Sequence, residues 1–83
     1  MVENKREKSL KTVVTFSTMA DAMQMESEAA EKGFPGRIIP VPSEISAGCG
    51  LAWRVDERER QALLNAIRIF TLPYEGIFEI EMY

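Results

Sequence analysis

Cys49 is the single cysteine of an 83-residue chain that contains no histidine. Any nucleophilic chemistry in this sequence therefore passes through one thiol. Its setting is Gly48-Cys49-Gly50. Flanking glycines remove side-chain cover, permit positive φ and let a second protein approach the sulfur, the access that thiol exchange between proteins requires. The structural alternative is that the glycines serve a turn or bulge, with Cys49 a small inert hydrophobe. Both readings stand on the residues alone. Without histidine there is no Ser-His, Cys-His or His-metal chemistry. One cysteine allows no disulfide within the chain and no multi-cysteine zinc or iron–sulfur centre, so no metal and no cofactor is expected.

The elements that must position Cys49 follow from the pattern along the chain. Apolar residues are 46% of the sequence and charged residues 28%, which is the balance of one soluble domain. Residues 1–9 read as a flexible charged tail and 10–83 as the single domain. The first eleven residues carry Lys5, Arg6, Lys8 and Lys11 against Glu3 and Glu7, in a chain of net charge −3. Leu10–Phe16 is β-branched and predicts a strand. Ser17 or Thr18 is expected to cap a helix that runs to Lys32 and stops at Gly33, with Thr18 and Asp21 at capping-box spacing. Its apolar stripe is expected at Met19, Ala22, Met23, Ala29 and Ala30. Glu26 then falls near the middle of that arc, where a hydrogen bond fixing the packing is its expected role.

Arg37–Val41 predicts a second strand, and Pro40 confines it to a sheet edge because proline cannot donate to a ladder. Pro42–Gly48 is a loop. Gly50–Val55 is a third strand with Leu51, Trp53 and Val55 on one face. Asp56 is expected to cap a second helix, with Glu59 in the box position and Leu63, Ala66, Ile67 and Phe70 buried. Ile77–Tyr83 closes the chain as a strand, with Phe78, Ile80 and Met82 inward and Glu79 and Glu81 outward.

The resulting order, βαββαβ, predicts an α+β fold. The expected form is a ferredoxin-like sandwich, with an antiparallel sheet in spatial order 4-1-3-2 and two helices on one face. That topology carries Cys49 to the end of the sheet where the first helix begins, near Ser17 and Thr18. Free N–H groups and the positive dipole end favour an anion there, whether a thiolate or a bound selenide, sulfide or carboxylate. Arg37 and Arg54 are the nearest cations along the flanking strands, and solvation or cross-strand pairing is their expected role.

Several segments together resemble one known family. Phe16-Ser-Thr with Ala22 and Glu26, Arg37-Ile-Ile-Pro-Val-Pro42, Glu44-Ile45-Ser46 and Gly48-Cys49-Gly50-Leu51 are similar to the Se/S (selenium/sulfur) carrier protein-like family of bacteria and archaea. The resemblance runs from about Lys11 to Tyr83, and the Ile-Pro-Val-Pro…Cys-Gly run is its specific part. It implies carriage of selenium or sulfur on Cys49. Family members often carry a basic residue after the second proline. This chain has Ser43 there, which removes a group that would steady an anionic cargo.

The expected function is thus a carrier without turnover of its own, holding a persulfide or selenopersulfide on Cys49. Gly48, Gly50, Ser17, Thr18 and Ser43 are its expected surroundings. A cysteine desulfurase would be the donor, and a protein that uses selenium or sulfur the acceptor. The rival reading is a ligand-binding or protein-interaction regulatory module with a structural Cys49. Domains of this layout also dimerise through the sheet, so a homodimer stands among the expected partners. Nucleic acid is not expected. The open face should show Val13, Thr15, Ala52, Arg54, Glu79 and Glu81, with no aromatic platform on the central strands. No apolar run follows the charged start at the length of a signal peptide or membrane span, and with one reduced thiol the expected location is cytoplasmic.

Overall fold

The computed structural model describes residues 8–45 and 48–83. The expected tail thus lies outside the described residues for positions 1–7, as do Ser46 and Ala47 of the loop. The chain forms β1 (Ser9–Thr15), α1 (Met19–Lys32), β2 (Arg37–Pro40), β3 (Leu51–Asp56), α2 (Arg60–Phe70) and β4 (Gly76–Met82). All pairings are antiparallel, in the order β2-β3-β1-β4, the same succession as 4-1-3-2 taken from the opposite edge. The fold is α+β, and β2 lies at an edge with Pro40 as its last residue.

The boundaries of α1 arise where local chemistry demands them. Thr18 has extended backbone, and its hydroxyl oxygen accepts the Asp21 N–H at 3.1 Å. At the other end Gly33 adopts φ +75° and donates its N–H to the Ala29 carbonyl, the left-handed cap that glycine takes without steric cost. The buried stripe differs from the expected one. It is Ala22, Met25 and Ala29, while Met19 and Met23 are 53% and 42% exposed. The true stripe is centred nearer Met25. That rotation carries Glu26 off the buried arc and into solvent.

Both helices contribute to one core against the sheet face bearing Val14, Phe16, Trp53 and Val55, with Met25, Leu63, Ile67 and Leu72 filling it. Their placement departs from a pair lying antiparallel side by side, because their C-terminal ends converge. The Phe34 ring, just beyond α1, stacks on Phe70 at the end of α2 with centroids 6.3 Å apart. Lys32 lies over the same Phe70 ring at 5.1 Å. The start of α2 also differs from expectation. A 3₁₀ turn over Glu57–Glu59 intervenes, and Asp56 makes no side-chain cap. Its carboxylate instead meets Lys11 Nζ at 3.1 Å, and hydrogen bonding to that ammonium holds Asp56 below the usual carboxylate range.

The largest correction concerns β4. Its register pairs Ile77 with Val14 and Phe78 with Val13. Val14 faces the helices, so Ile77, Glu79 and Glu81 lie on that side, and Phe78, Ile80 and Met82 lie on the open face. Glu79 is accommodated there by partners. The buried Thr12 hydroxyl donates to it at 3.1 Å, and Arg60 at the start of α2 forms an ion pair with it. A paired substitution tests this orientation. Ile77→Asp places a carboxylate against the core and should cost about 3 kcal/mol or more. Phe78→Asp on the open face should cost about 1 kcal/mol. Urea unfolding of both variants at low chain concentration measures the difference, and equal or reversed costs would contradict the register.

Candidate functional site

Three segments meet at the end of the sheet where β1 stops. The chain leaves β1 through Phe16 and Ser17 into the Thr18 cap. The Glu75 N–H, just before β4, donates to the Thr15 carbonyl at 2.7 Å. The β2–β3 loop is pinched at its base by the Val41 N–H, which donates to the Gly50 carbonyl at 3.1 Å. Gly48 rests against the Ser17 backbone so closely that an added Cβ would lie 3.3 Å from the Ser17 carbonyl oxygen. The glycine before the cysteine is therefore fitted to the entry of α1. The structure brings Gly48, Cys49, Gly50 and Ser17 together as the topology requires.

Cys49 is half-buried, with part of its surface packed against the core cluster. Gly50 adopts φ +81°, a conformation that costs an L-residue roughly 1–2 kcal/mol. That turn folds Leu51 back onto the sulfur. The Leu51 N–H donates to Cys49 Sγ at 3.4 Å, and the thiol lies 3.4 Å from the Leu51 carbonyl as its acceptor. Of the two contacts, only the N–H persists as a donor when the sulfur is an anion. Sequence reading had no access to this contact. Its signal is a glycine directly after the cysteine.

The other expected site residues divide. Ser17 and Thr18 are exposed beside the loop, but the Thr18 oxygen already serves the helix cap. Ser43 is exposed within the turn closed by the Ile45 N–H on the Pro42 carbonyl. No hydrogen bond joins Ser43 to Cys49 among the described residues. Arg37 and Arg54 are not brought to the cysteine. They stand opposite each other on β2 and β3, with Arg54 three positions along β3 from Leu51, about 10 Å. In sequence, residues 16–25, 41–51 and 71–76 contain no Lys or Arg and carry Asp21, Glu44 and Glu75. Among the described residues no three Asp, Glu or Cys side chains cluster to hold a metal ion. No helix of the described residues is long and apolar enough to cross a membrane.

The glycine-bracketed cysteine and its surrounding segments fall within residues 11–79, which match the model of the family described as "Putative Se/S carrier protein-like". The chain belongs to this family. No curated protein and no solved structure matches it. The match spans the whole of α1, β2, β3 and α2, with most of β1 and about half of β4.

Proposed function

We propose that the protein carries sulfane sulfur or selenium on Cys49 between two other proteins. The reading rests on family membership, and the observation that carries it is the Cys49 turn. There a half-open sulfur sits between two glycines and receives the Leu51 N–H. In the loading step the Cys49 thiolate attacks the outer sulfur of a donor's persulfide. The donor S–S bond breaks, the donor thiolate leaves, and Cys49–S–SH remains. An acceptor thiolate attacks that outer sulfur in turn and regenerates Cys49. A selenium atom in the outer position follows the same balance.

The surroundings argue for hand-over from a protein rather than capture of a free anion. No cation lies in the three segments that build this end, and Asp21, Glu44 and Glu75 repel sulfide or selenide in solution. The open flanks at Gly48 and Gly50 admit a donor's loop, with Ser17, Thr18 and Ser43 as the polar rim. The donor is a protein of the cysteine desulfurase kind, the acceptor a protein that uses sulfur or selenium, and the compartment a reducing cytoplasm. The fold, on this reading, is a ferredoxin-like sandwich with a displaced second helix.

Incubation with a cysteine desulfurase and cysteine, followed by intact-mass and peptide mass spectrometry, should show one added sulfur on Cys49. No added mass, while a control acceptor is loaded, would overturn the reading. A second reading draws on the core packing of Cys49 and on a 470 Å³ cavity between α2 and β4, lined by Leu64, Ile67, Leu72 and Ile77. There the domain is a ligand-binding module, Cys49 is structural, and the same experiment leaves it unmodified.

A further inference from the structure

The β4 register leaves the open sheet face with a composition that suits a copy of itself. Read across β2, β3, β1 and β4, one row is Arg37, Arg54, Val13 and Phe78, and the next is Ile39, Ala52, Thr15 and Gly76. A third row runs Asp56, Lys11 and Ile80 from β3 to β4. Small side chains occupy the centre, and the larger apolar ones lie at the margins. Phe78 is 39% exposed, and Ile39, Ile80 and Met82 are half-buried, with no helix or strand of the described residues over them. The two cross-strand arginines are like charges placed side by side, which disfavours the pairing. Arg37 has no carboxylate partner among the described residues.

We propose that this face is the interface of a homodimer, formed about a two-fold axis parallel to the strands. The inference goes beyond the carrier reading and does not depend on it. Such an axis lays β2 over β4 of the second copy, and β3 over its β1. Each row then meets itself reversed. Arg37 comes over the Phe78 ring of the second copy, a cation–π pairing for its guanidinium. Asp56 comes over Lys11 and Lys11 over Asp56, which doubles the ion pair each copy already holds. Ile39 comes over Gly76, across which the second copy's Phe78 ring leans, so that Ile39 packs on that ring. Arg37 and Arg54 of each copy lie over Phe78 and Val13 of the other, so no like charges meet across the interface and the face is complementary to itself. Four strands of up to seven residues give a footprint of roughly 19 by 23 Å. That is at most about 440 Å² in projection, which side-chain relief brings toward the lower end, about 600 Å², of what each partner of a stable dimer buries.

The test uses the full chain in sedimentation velocity over a wide concentration series. The wild type should sediment at twice its 9.4 kDa mass. Phe78→Asp and Arg37→Glu should each weaken association at least about tenfold, while Ile69→Asp, on an exposed helix position, leaves it unchanged. Arg37 is exposed, so its variant decides the matter if Phe78→Asp does not fold. Isotope-filtered NOEs between labelled and unlabelled copies should join Ile39 to Gly76 or Phe78. Within one chain those residues are three strands, about 14 Å, apart, too far for such a contact. A wild type that stays monomeric at every concentration overturns the proposal. So does a dimer indifferent to both face variants.

Discussion

Replacing Gly36 by alanine should destabilise the domain by about 3 kcal/mol or more, a loss of roughly 15 °C in Tm for a chain of this size. Gly36 has φ +121°, and a Cβ built there would fall within the Trp53 indole, against Nε1, Cε2 and Cδ1. Trp53 is 3% exposed, and its Nε1–H donates to the Pro35 carbonyl at 3.0 Å. The Nε1 side of the indole thus abuts the Pro35–Gly36 backbone, and the new methyl must displace it. Displacement leaves a buried N–H unpaired, at about 1–3 kcal/mol, and forces repacking at a similar cost. The backbone strain of an L-residue at this φ adds to both. Gly33 provides the control. It has φ +75°, but open space surrounds its missing Cβ, so Gly33→Ala should cost only about 1 kcal/mol. Thermal and urea unfolding of the two variants separates contact from conformation. Near-equal losses would show that Trp53 is not held against Gly36.

What could be read in advance was whatever a few neighbouring residues decide. The Thr18 cap, the Gly33 stop, the edge position forced by Pro40 and the shared face of Leu51, Trp53 and Val55 are all local, and the structure has them. Misreadings arose where a distant partner decides. In Ile77-Phe-Glu-Ile-Glu-Met82 the alternation favours Phe78, Ile80 and Met82 as the inward set. The register against β1 makes Ile77 the partner of Val14 instead, and Thr12 with Arg60 makes the inward Glu79 tolerable. Likewise Asp56 looks like a cap until Lys11, 45 positions earlier, is seen beside it. In α1 several alanines and methionines offer overlapping arcs, and only packing selects Met25.

The site divides in the same way. Topology alone carried Cys49 to the start of α1, and Gly48 against Ser17 shows the fit. The closing of Leu51 onto Sγ depends on one backbone angle at Gly50, which no pattern of residue types specifies. For Arg37 and Arg54 the residue types suggest solvation or cross-strand pairing, but not that the two guanidinium-bearing residues stand opposite each other.

Loading of Cys49 should be abolished by Cys49→Ser and slowed severalfold by Gly50→Ala, in a chain that still folds. Serine removes the nucleophile, and its hydroxyl stays protonated in the pH range where a thiolate forms, so no sulfur adduct should be found at any time point. Gly50→Ala acts differently. No atom lies within 4 Å of the added Cβ, so the substitution clashes with nothing. Its effect comes through φ +81°, which alanine holds only at a cost of roughly 1–2 kcal/mol. Either the chain bears that strain, or φ moves to a negative value and swings the Leu51 N–H away from Sγ. The second course removes the one donor that faces the sulfur among the described residues and turns the thiol relative to its glycine-lined opening. A time course of mass addition with the desulfurase, run beside circular dichroism on each variant, distinguishes the outcomes. A Gly50→Ala protein that folds and loads at the wild-type rate would show that the turn does not prepare the sulfur. Adduct on the Cys49→Ser protein would show that the sulfur is carried elsewhere.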